Sequence, residues 1–267
     1  MLVLFLSCQS SDSISEPTFS NTTVQPVWNT EDLINKLDEN LSYGIPSALT
    51  LRNKYVEALS HRDESCPSLL AENSIIGTWE GGCSSSSHHF YGTGIFVEIE
   101  NSAPEIPYEM ALQTSFEISD TEENTFISGG IATRFEMDRG SEYIIEEAIG
   151  GTYQHEASAG WLGIGITSSL QVERAIESNG SRGYLDGGVG YPELSIQFSM
   201  LQYDTSECTS PFGALSIRDP SGYWFEATFE DCSGCATLLW NDTNMGDFCV
   251  GEILMREIDN LFSVERP

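Results

Sequence analysis

Residues 219–230 read DPSGYWFEATFE, a turn followed by an alternating strand. Proline at the second position of DPSG presets one backbone angle, and glycine at the fourth tolerates another, so these four residues predict a β-turn. Beyond the turn, Tyr, Phe, Ala and Phe at every second position alternate with Trp, Glu, Thr and Glu. This period of two predicts an antiparallel strand with one buried face and one exposed face.

The same alternation of apolar and polar residues recurs between Cys66 and residue 256. We count about ten segments with this period of two. The clearest examples lie at 95–100, 112–118, 131–138, 162–172 and 194–200. Turns are expected between the strands at Gly129-Gly130, Gly150-Gly151, Asn179-Gly180 and Gly187-Gly188. The chain is therefore predicted to be mainly β. We expect residues 66–256 to form a single domain, followed by a tail over residues 257–267. The antiparallel sheet of this domain is predicted either to close into a barrel or to fold into a sandwich.

Residues 29–62 have a helical period instead. Asn29 or Thr30 can cap a first helix, whose apolar side chains at 33, 34, 37 and 41 share one face. Gly44 ends that helix, and Pro46 suits the first turn of a second one that runs to about Ser60. The second helix is predicted to bury Leu49, Val56 and Leu59. We expect both helices to pack on the β core.

The charge of the chain excludes two classes of partner. It carries 41 acidic residues against 11 basic ones, for a net charge of −30, and lysine occurs only at positions 36 and 54. Nucleic-acid binding depends on clustered cations, and so does attraction to anionic lipid headgroups. We therefore expect no nucleic-acid partner and no basic contact with a membrane. A small molecule, a glycan or another protein remains a possible partner at the surface.

The N-terminus begins with an apolar run over residues 1–6, followed by Ser7 and Cys8. A membrane-spanning helix needs about 20 residues, so this run is too short to cross a bilayer. We interpret residues 1–7 as the remnant of an export signal that starts upstream. The following residues are rich in Ser, Thr, Pro and Asn, a composition that predicts a flexible tether over residues 8–28.

An apolar run, a small residue and a cysteine before a polar tether resemble the lipobox of bacterial lipoproteins. The resemblance rests on residues 1–8 alone. It implies that Cys8 carries a lipid and that the protein is anchored in the bacterial cell envelope, at the outer membrane. The alternative is a secreted protein whose ordinary cleaved signal happens to end near a cysteine.

The remaining cysteines are Cys66, Cys83, Cys208, Cys232, Cys235 and Cys249. An even number in an exported chain predicts three disulfides. Cys66 and Cys83 are close together and far from the others, so we pair them, and the other four then connect the C-terminal strands. Two alternatives stay open: a redox pair at Cys232-Ser-Gly-Cys235 and a zinc ion held by the four C-terminal cysteines.

Catalytic motifs are missing from the sequence. It has no Gly-x-Ser-x-Gly, Ser-x-x-Lys, P-loop or Gly-x-Gly-x-x-Gly pattern, and no lysine after Lys54 could form a Schiff base. We therefore predict a non-enzymatic protein with either a structural or a binding role. The enzymatic alternative is a carboxylate-based hydrolase, which needs two facing acids, one of them with a raised pKa.

Three further features support predictions about single residues or loops. One of Glu146 and Glu147 should face inward, where it must be paired or protonated. His88-His89 is either a metal-binding pair or a surface loop. Residues 241–247 have the oxygen density of a calcium loop, but the spacing favours a polar hairpin turn. We expect no cofactor, with a loose calcium site as the alternative.

Gly77-Thr78-Trp79 resembles the Gly-x-Trp that opens the first strand of lipocalins, which are eight-stranded barrels. The resemblance implies a barrel interior that binds a small apolar ligand. Exposed aromatic side chains would instead suit a glycan. The candidate ligand-site residues are Trp79, Trp161 and Trp224.

Overall fold

A computed structural model describes most of the chain after residue 24. The described residues are 25–42, 44–45, 47–72, 76–103, 105–114, 117–120, 125–154, 166–178, 180–191, 193–208 and 210–261. Cys8, nearly all of the predicted tether and Trp161 lie outside these residues.

The helices are α1 (Thr30–Leu41), α2 (Ala48–Ser60) and α3 (Gly251–Leu261). The first begins as the sequence predicted, because the Asn29 side chain accepts a hydrogen bond from the Asp32 N–H at 2.9 Å. Helix α3 was not predicted, since its residues were assigned from the sequence to the end of the β domain and the tail. None of the helices in the described ranges is long and apolar enough to cross a membrane.

Helix α2 buries a different face from the predicted one. Ala48, Leu51 and Tyr55 are buried, whereas Val56 is 41% exposed. Positions 48, 51 and 55 are separated by three and four residues, which places them on one face of the helix. The helix therefore has a buried apolar face, but this face is centred on different residues from the predicted one. Of the predicted stripe, Leu49 and Leu59 are half-buried and Leu59 packs against the core, so the prediction was wrong for Val56. The helix contains apolar residues on more than one side.

The described residues form sixteen strands, all in one antiparallel sheet. They are β1 (Ser68–Glu72), β2 (Ile76–Glu80), β3 (Cys83–Ser85), β4 (His88–Tyr91), β5 (Thr93–Ala103), β6 (Ile106–Thr114), β7 (Glu117–Asp120), β8 (Thr125–Asp138), β9 (Glu142–Gln154), β10 (Ile166–Glu177), β11 (Gly180–Gly190), β12 (Ser195–Asp204), β13 (Phe212–Arg218), β14 (Trp224–Phe229), β15 (Cys235–Trp240) and β16 (Thr243–Cys249).

The sheet is continuous and open. The strand order is β1-β2-β5-β6-β8-β9-β10-β11-β12-β13-β14-β15-β16, and β3, β4 and β7 form a side branch. The mainly β, antiparallel fold is confirmed, but with more strands than the predicted ten. The prediction left a barrel or a sandwich open, and the barrel is wrong, because β1 and β16 do not pair within the described residues. Instead, α1 lies against the edge strand β16, where Thr30 Oγ1 donates to the Met245 carbonyl at 2.9 Å.

One face of the sheet, here the inner face, packs on the helices. In β14 the side chains of Phe225, Ala227 and Phe229 are buried on this face, while Trp224 and Glu226 point to the opposite, outer face. The three helices contribute to the same hydrophobic cluster as the inner face. Burying a large apolar side chain stabilises the fold by roughly 1.5–3 kcal/mol, so this cluster is the main source of stability.

Three glycine pairs that were predicted to be turns lie inside strands. Gly129-Gly130 falls in β8, Gly150-Gly151 in β9, and Gly187-Gly188 in β11. The pairing of β8 with β9 shifts register between Ser128 and Ile131, and the pairing of β11 with β12 shifts at Gly187. The glycines therefore lie in β-bulges or opposite them, and a β-bulge bends a strand and increases its twist. The DPSG turn is confirmed, since the Gly222 N–H bonds the Asp219 carbonyl at 2.9 Å.

Candidate functional site

The cysteines after Cys8 form three disulfides. Cys66 pairs with Cys83, Cys208 with Cys232, and Cys235 with Cys249, with Cα–Cα distances of 5.7, 5.4 and 4.0 Å. The predicted pairing of Cys66 with Cys83 and the connection of the C-terminal strands by the other four are confirmed. Cys232 and Cys235 take different partners, so they do not form a CxxC redox pair, and no described cysteine is left to hold zinc.

The candidate tryptophans do not come together. Trp79 lies in β2 and Trp224 in β14, near opposite ends of the strand order. Trp224 is 38% exposed on the outer face, whereas Trp79 is half-buried beneath the Arg62 guanidinium, which is 4.7 Å from the ring centroid. Trp161 is not among the described residues. The structure therefore holds no shared aromatic platform for Trp79 and Trp224.

Trp79 lines a narrow apolar cleft between α2 and the sheet. Tyr55, Val56 and Leu59 form the helix side, and Trp79 with Phe96 forms part of the sheet side. Its volume is about 20 Å³, which is room for about one water molecule. In the conformation described, the cleft is too small to hold an organic ligand.

The histidine pair is divided between the two sides of β4. His88 is buried and its ring stacks on that of His61, with the centroids 4.4 Å apart. His89 is half-buried and its Nδ1 lies 2.5 Å from the Ser84 hydroxyl. No group of three or more metal-ligating side chains occurs in the described part of the chain.

Asn241 and Asp242 form the turn of a hairpin between β15 and β16, and residues 243–247 belong to β16. Asn241 and Asp242 have φ values of 46° and 62°, as the two central residues of a tight hairpin require. The Asn244 side-chain oxygen accepts the Gly246 N–H at 2.7 Å. The hairpin prediction is confirmed, with the turn at Asn241 and Asp242, and the Asn244 side-chain oxygen accepts a hydrogen bond within β16.

Glu147 is the inward-facing acid of the Glu146-Glu147 pair. Its side chain is fully buried on β9 beneath α2, where it forms an ion pair with Arg134 and accepts the Ala48 N–H at 3.2 Å. Burial raises the pKa of Glu147, and the Arg134 guanidinium and the Ala48 N–H oppose that shift. The carboxyl is sealed from solvent, so a substrate cannot reach it in this conformation.

A wider, polar concavity lies along strands β10, β11 and β12, mainly on their outer face, and we call it the outer groove. Its volume is about 370 Å³, within the range of small-molecule sites. Its lining residues are Glu173, Ala175, Arg182, Gly183, Tyr184, Gln202, Tyr203, Asp204, Glu207 and Phe212.

The strand register brings the groove residues together. Glu173 pairs with Tyr184, which pairs in turn with Gln202, and Gln202 pairs with Phe212. Residues directly opposite each other share a face of the sheet, so these four side chains form a row across four strands. The pairing shifts register between Ser199 and Gln202, next to this row. Such a bulge bends the sheet locally, which accounts for the concave surface.

The groove is negatively charged. Arg182 is its one cationic lining residue, and its guanidinium already bonds Glu142 at 2.6 Å and Glu177 at 3.1 Å. Glu173 and Glu207 have neither an ion pair nor a side-chain hydrogen bond among the described residues. Arg182 lies opposite Asp204, and its charge helps to lower the pKa of that carboxyl. The groove carboxylates that have no ion pair in the described part of the chain are therefore those of Glu173 and Glu207.

Two groove residues have shifted pKa values. The Ser206 hydroxyl and N–H bond the Asp204 carboxylate and lower its pKa, so Asp204 stays ionised. Desolvation, followed by the charges of Glu173 and Glu146, raises the pKa of Tyr184, which keeps its phenol protonated as a hydrogen-bond donor. The groove thus combines fixed anionic acceptors with aromatic side chains.

None of the groove residues stands out in the sequence. Each one looks like an ordinary exposed position of an alternating strand, and the chain holds 41 acidic residues from which to choose. The available signal was the two small residues Ala175 and Gly183, which lie inside long strands, where small residues leave space or allow a close approach.

Comparison with protein-family models found no matching family. Searches of curated proteins and of solved structures likewise found no match for this chain.

Proposed function

We propose that this chain is an exported, non-enzymatic binding protein that is anchored to a bacterial membrane by a lipid on Cys8, and that its binding site is the outer groove. The observation that carries the proposal is the disulfide set. Six of the seven cysteines pair within the β domain, and Cys8 is the one left outside these pairs. Persistent disulfides are typical of oxidising compartments outside the cytosol.

The position of Cys8 supports the anchor. It follows the lipobox-like residues 1–7 and precedes the polar stretch of the predicted tether. As a tether, this stretch would separate the lipid from the folded domain. In the described part of the chain, the Val27 N–H already bonds the Asp219 carboxylate at 2.7 Å. A domain attached in this way presents its surface to ligands while it stays on the membrane.

The chemistry of the described acids supports binding over hydrolysis. A carboxylate-based hydrolase needs an accessible acid with a raised pKa beside an ionised one. Glu147 has the raised pKa, but it is buried against Arg134. Asp204 is accessible in the outer groove, but its pKa is lowered. The raised pKa and the access to solvent thus belong to two different acids, Glu147 and Asp204, that do not share a site. This separation favours a site that binds a ligand without reacting with it.

The test is the cellular fraction and mass of the natively produced protein. We expect the chain in the membrane fraction, with a lipid mass on an N-terminal Cys8 and a gain of two hydrogens per disulfide on reduction. A Cys8→Ser variant should move to the soluble fraction, whereas a Cys66→Ser/Cys83→Ser variant that still folds should stay on the membrane. Unchanged membrane association of Cys8→Ser would overturn the anchor.

A second candidate function is binding of a small apolar ligand in the cleft beneath α2. It is favoured by the apolar lining around Trp79, the residue of the Gly-x-Trp pattern, and by the exposure of Val56 and Ile95 nearby. The cleft would have to widen by displacement of α2. Quenching or enhancement of Trp79 fluorescence by a fatty acid, lost in a Trp79→Phe variant, would support this function, and no change would exclude it.

A further inference from the structure

The outer groove has a size and a charge that select a class of ligand. At about 370 Å³ it suits a small molecule better than a folded partner. Its lining carries the carboxylates of Glu173, Asp204 and Glu207 against the guanidinium of Arg182. Since Glu142 and Glu177 already occupy that guanidinium, it is poorly placed to bind an anionic ligand.

The aromatic side chains narrow the choice further. Tyr184 and Phe212 line the groove within the same row of opposed residues as Glu173 and Gln202. Aromatic rings attract organic cations through their negative faces, and carboxylates form charge-assisted hydrogen bonds with ammonium groups. A neutral ligand would leave the carboxylates unmatched in charge, whereas an aliphatic ammonium compound uses both kinds of group.

We propose that the outer groove binds a short aliphatic polyamine, with its ammonium groups at Glu173, Asp204 and Glu207 and its methylene chain against Tyr184 and Phe212. The inference rests on the binding role proposed above, but it does not depend on the lipid anchor. The chain itself cannot fill the groove with an ammonium group of its own β domain, because no lysine follows Lys54.

Calorimetric titration of the full chain with spermidine tests the proposal, at moderate salt so that diffuse attraction to the acidic surface is screened. We expect saturable binding to one site. A Glu173→Gln/Glu207→Gln variant should bind at least about tenfold more weakly, because it loses two charge-assisted contacts. The matched control, Glu80→Gln/Glu105→Gln, removes two exposed carboxylates elsewhere and should change the affinity less than about twofold.

A second variant covers the case in which the first does not fold. Phe212→Leu keeps the charge and removes the aromatic face, and it should weaken spermidine binding by about two- to fivefold. Weak binding at many sites, reduced equally by the groove and control variants, would overturn the proposal.

A titration with a neutral trisaccharide shows whether a negative result for spermidine means that the ligand class is wrong or that the groove is not a binding site. If maltotriose perturbs the amide resonances of β10–β12 and spermidine does not, the polyamine is wrong and the groove remains a binding site. If neither compound perturbs these resonances, both the polyamine and the binding role proposed for the groove fail.

Discussion

Arg134 and Glu147 lie directly opposite each other on β8 and β9 and form an ion pair that α2 covers. Both side chains are almost completely removed from solvent. The N-terminus of α2 contributes the Ala48 N–H to the same carboxylate, and Glu136 bonds the other side of the guanidinium. The pair thus connects two central strands to the helix above them.

Removal of one member of this pair should destabilise the fold strongly. Glu147→Gln leaves the buried Arg134 charge without its main counter-ion, and such a change typically costs about 3–5 kcal/mol. We expect that loss in the free energy of unfolding from urea denaturation. The exposed pair of Lys36 with Glu39 is the control, and Glu39→Gln should cost less than about 1 kcal/mol. Equal effects of the two substitutions would contradict the structural role of the buried pair.

Each disulfide should contribute a similar stability. The bridges close loops with sequence separations of 17, 24 and 14 residues. Loop-closure entropy grows only slowly with length, so each is expected to contribute about 3 kcal/mol. Paired Cys→Ala variants, compared by urea denaturation, should lose that amount one bridge at a time. A bridge whose removal leaves the free energy of unfolding unchanged would show that its loop is already ordered in the unfolded chain.

Local patterns predicted the elements of this fold well. The alternation over residues 223–230 indicated β14, and the polar residue before the first amphipathic stretch, Asn29, caps α1. Proximity in sequence was enough to pair Cys66 with Cys83. Each of these features depends on residues that are neighbours in the chain, and the physical cause lies within a few residues of the effect.

Long-range features could not be predicted in the same way. The closure of the sheet depends on whether its end strands meet, and no local pattern encodes that. The outer groove depends on the register of β10 to β13, which places Glu173, Tyr184, Gln202 and Phe212 in one row although they are far apart in sequence. Glycine pairs were misread as turns because glycine permits both a turn and a β-bulge.

The free energy of unfolding at low pH should depend on the protonation of Asp204. Its pKa is lowered in the folded protein by the Ser206 hydroxyl and N–H. A depressed folded pKa contributes stability that is present above the ordinary aspartate pKa of about 3.9 and is lost as the pH falls through the folded value. Carboxyl NMR should therefore find Asp204 titrating below an ordinary aspartate, and Ser206→Ala should raise its pKa.

The matched control for Asp204 is Asp231, whose pKa is lowered by Ser233 in the same Asp-x-Ser arrangement. Ser206→Ala should leave the titration of Asp231 unchanged. If both carboxyls moved together, the shift would come from the overall charge of the protein and not from the local hydrogen bonds.

A single methyl group at Gly183 should disrupt the centre of the sheet. A Cβ there would lie 2.1 Å from the Glu173 carbonyl oxygen and 2.7 Å from the Tyr203 hydroxyl, so the backbone of β10 would have to move. Gly183→Ala is expected to destabilise the fold by about 1–3 kcal/mol or more, since overpacking forces the backbone apart. At Gly150 in β9, an added methyl group would have no neighbouring atom within 4 Å, and Gly150→Ala should be neutral or stabilising by up to about 1 kcal/mol. Thermal unfolding of the two variants provides the comparison. A Gly183→Ala protein as stable as Gly150→Ala would mean that β10 and β11 are farther apart than the structure has them. The outer groove, which Gly183 lines, would then have a different shape from the one described.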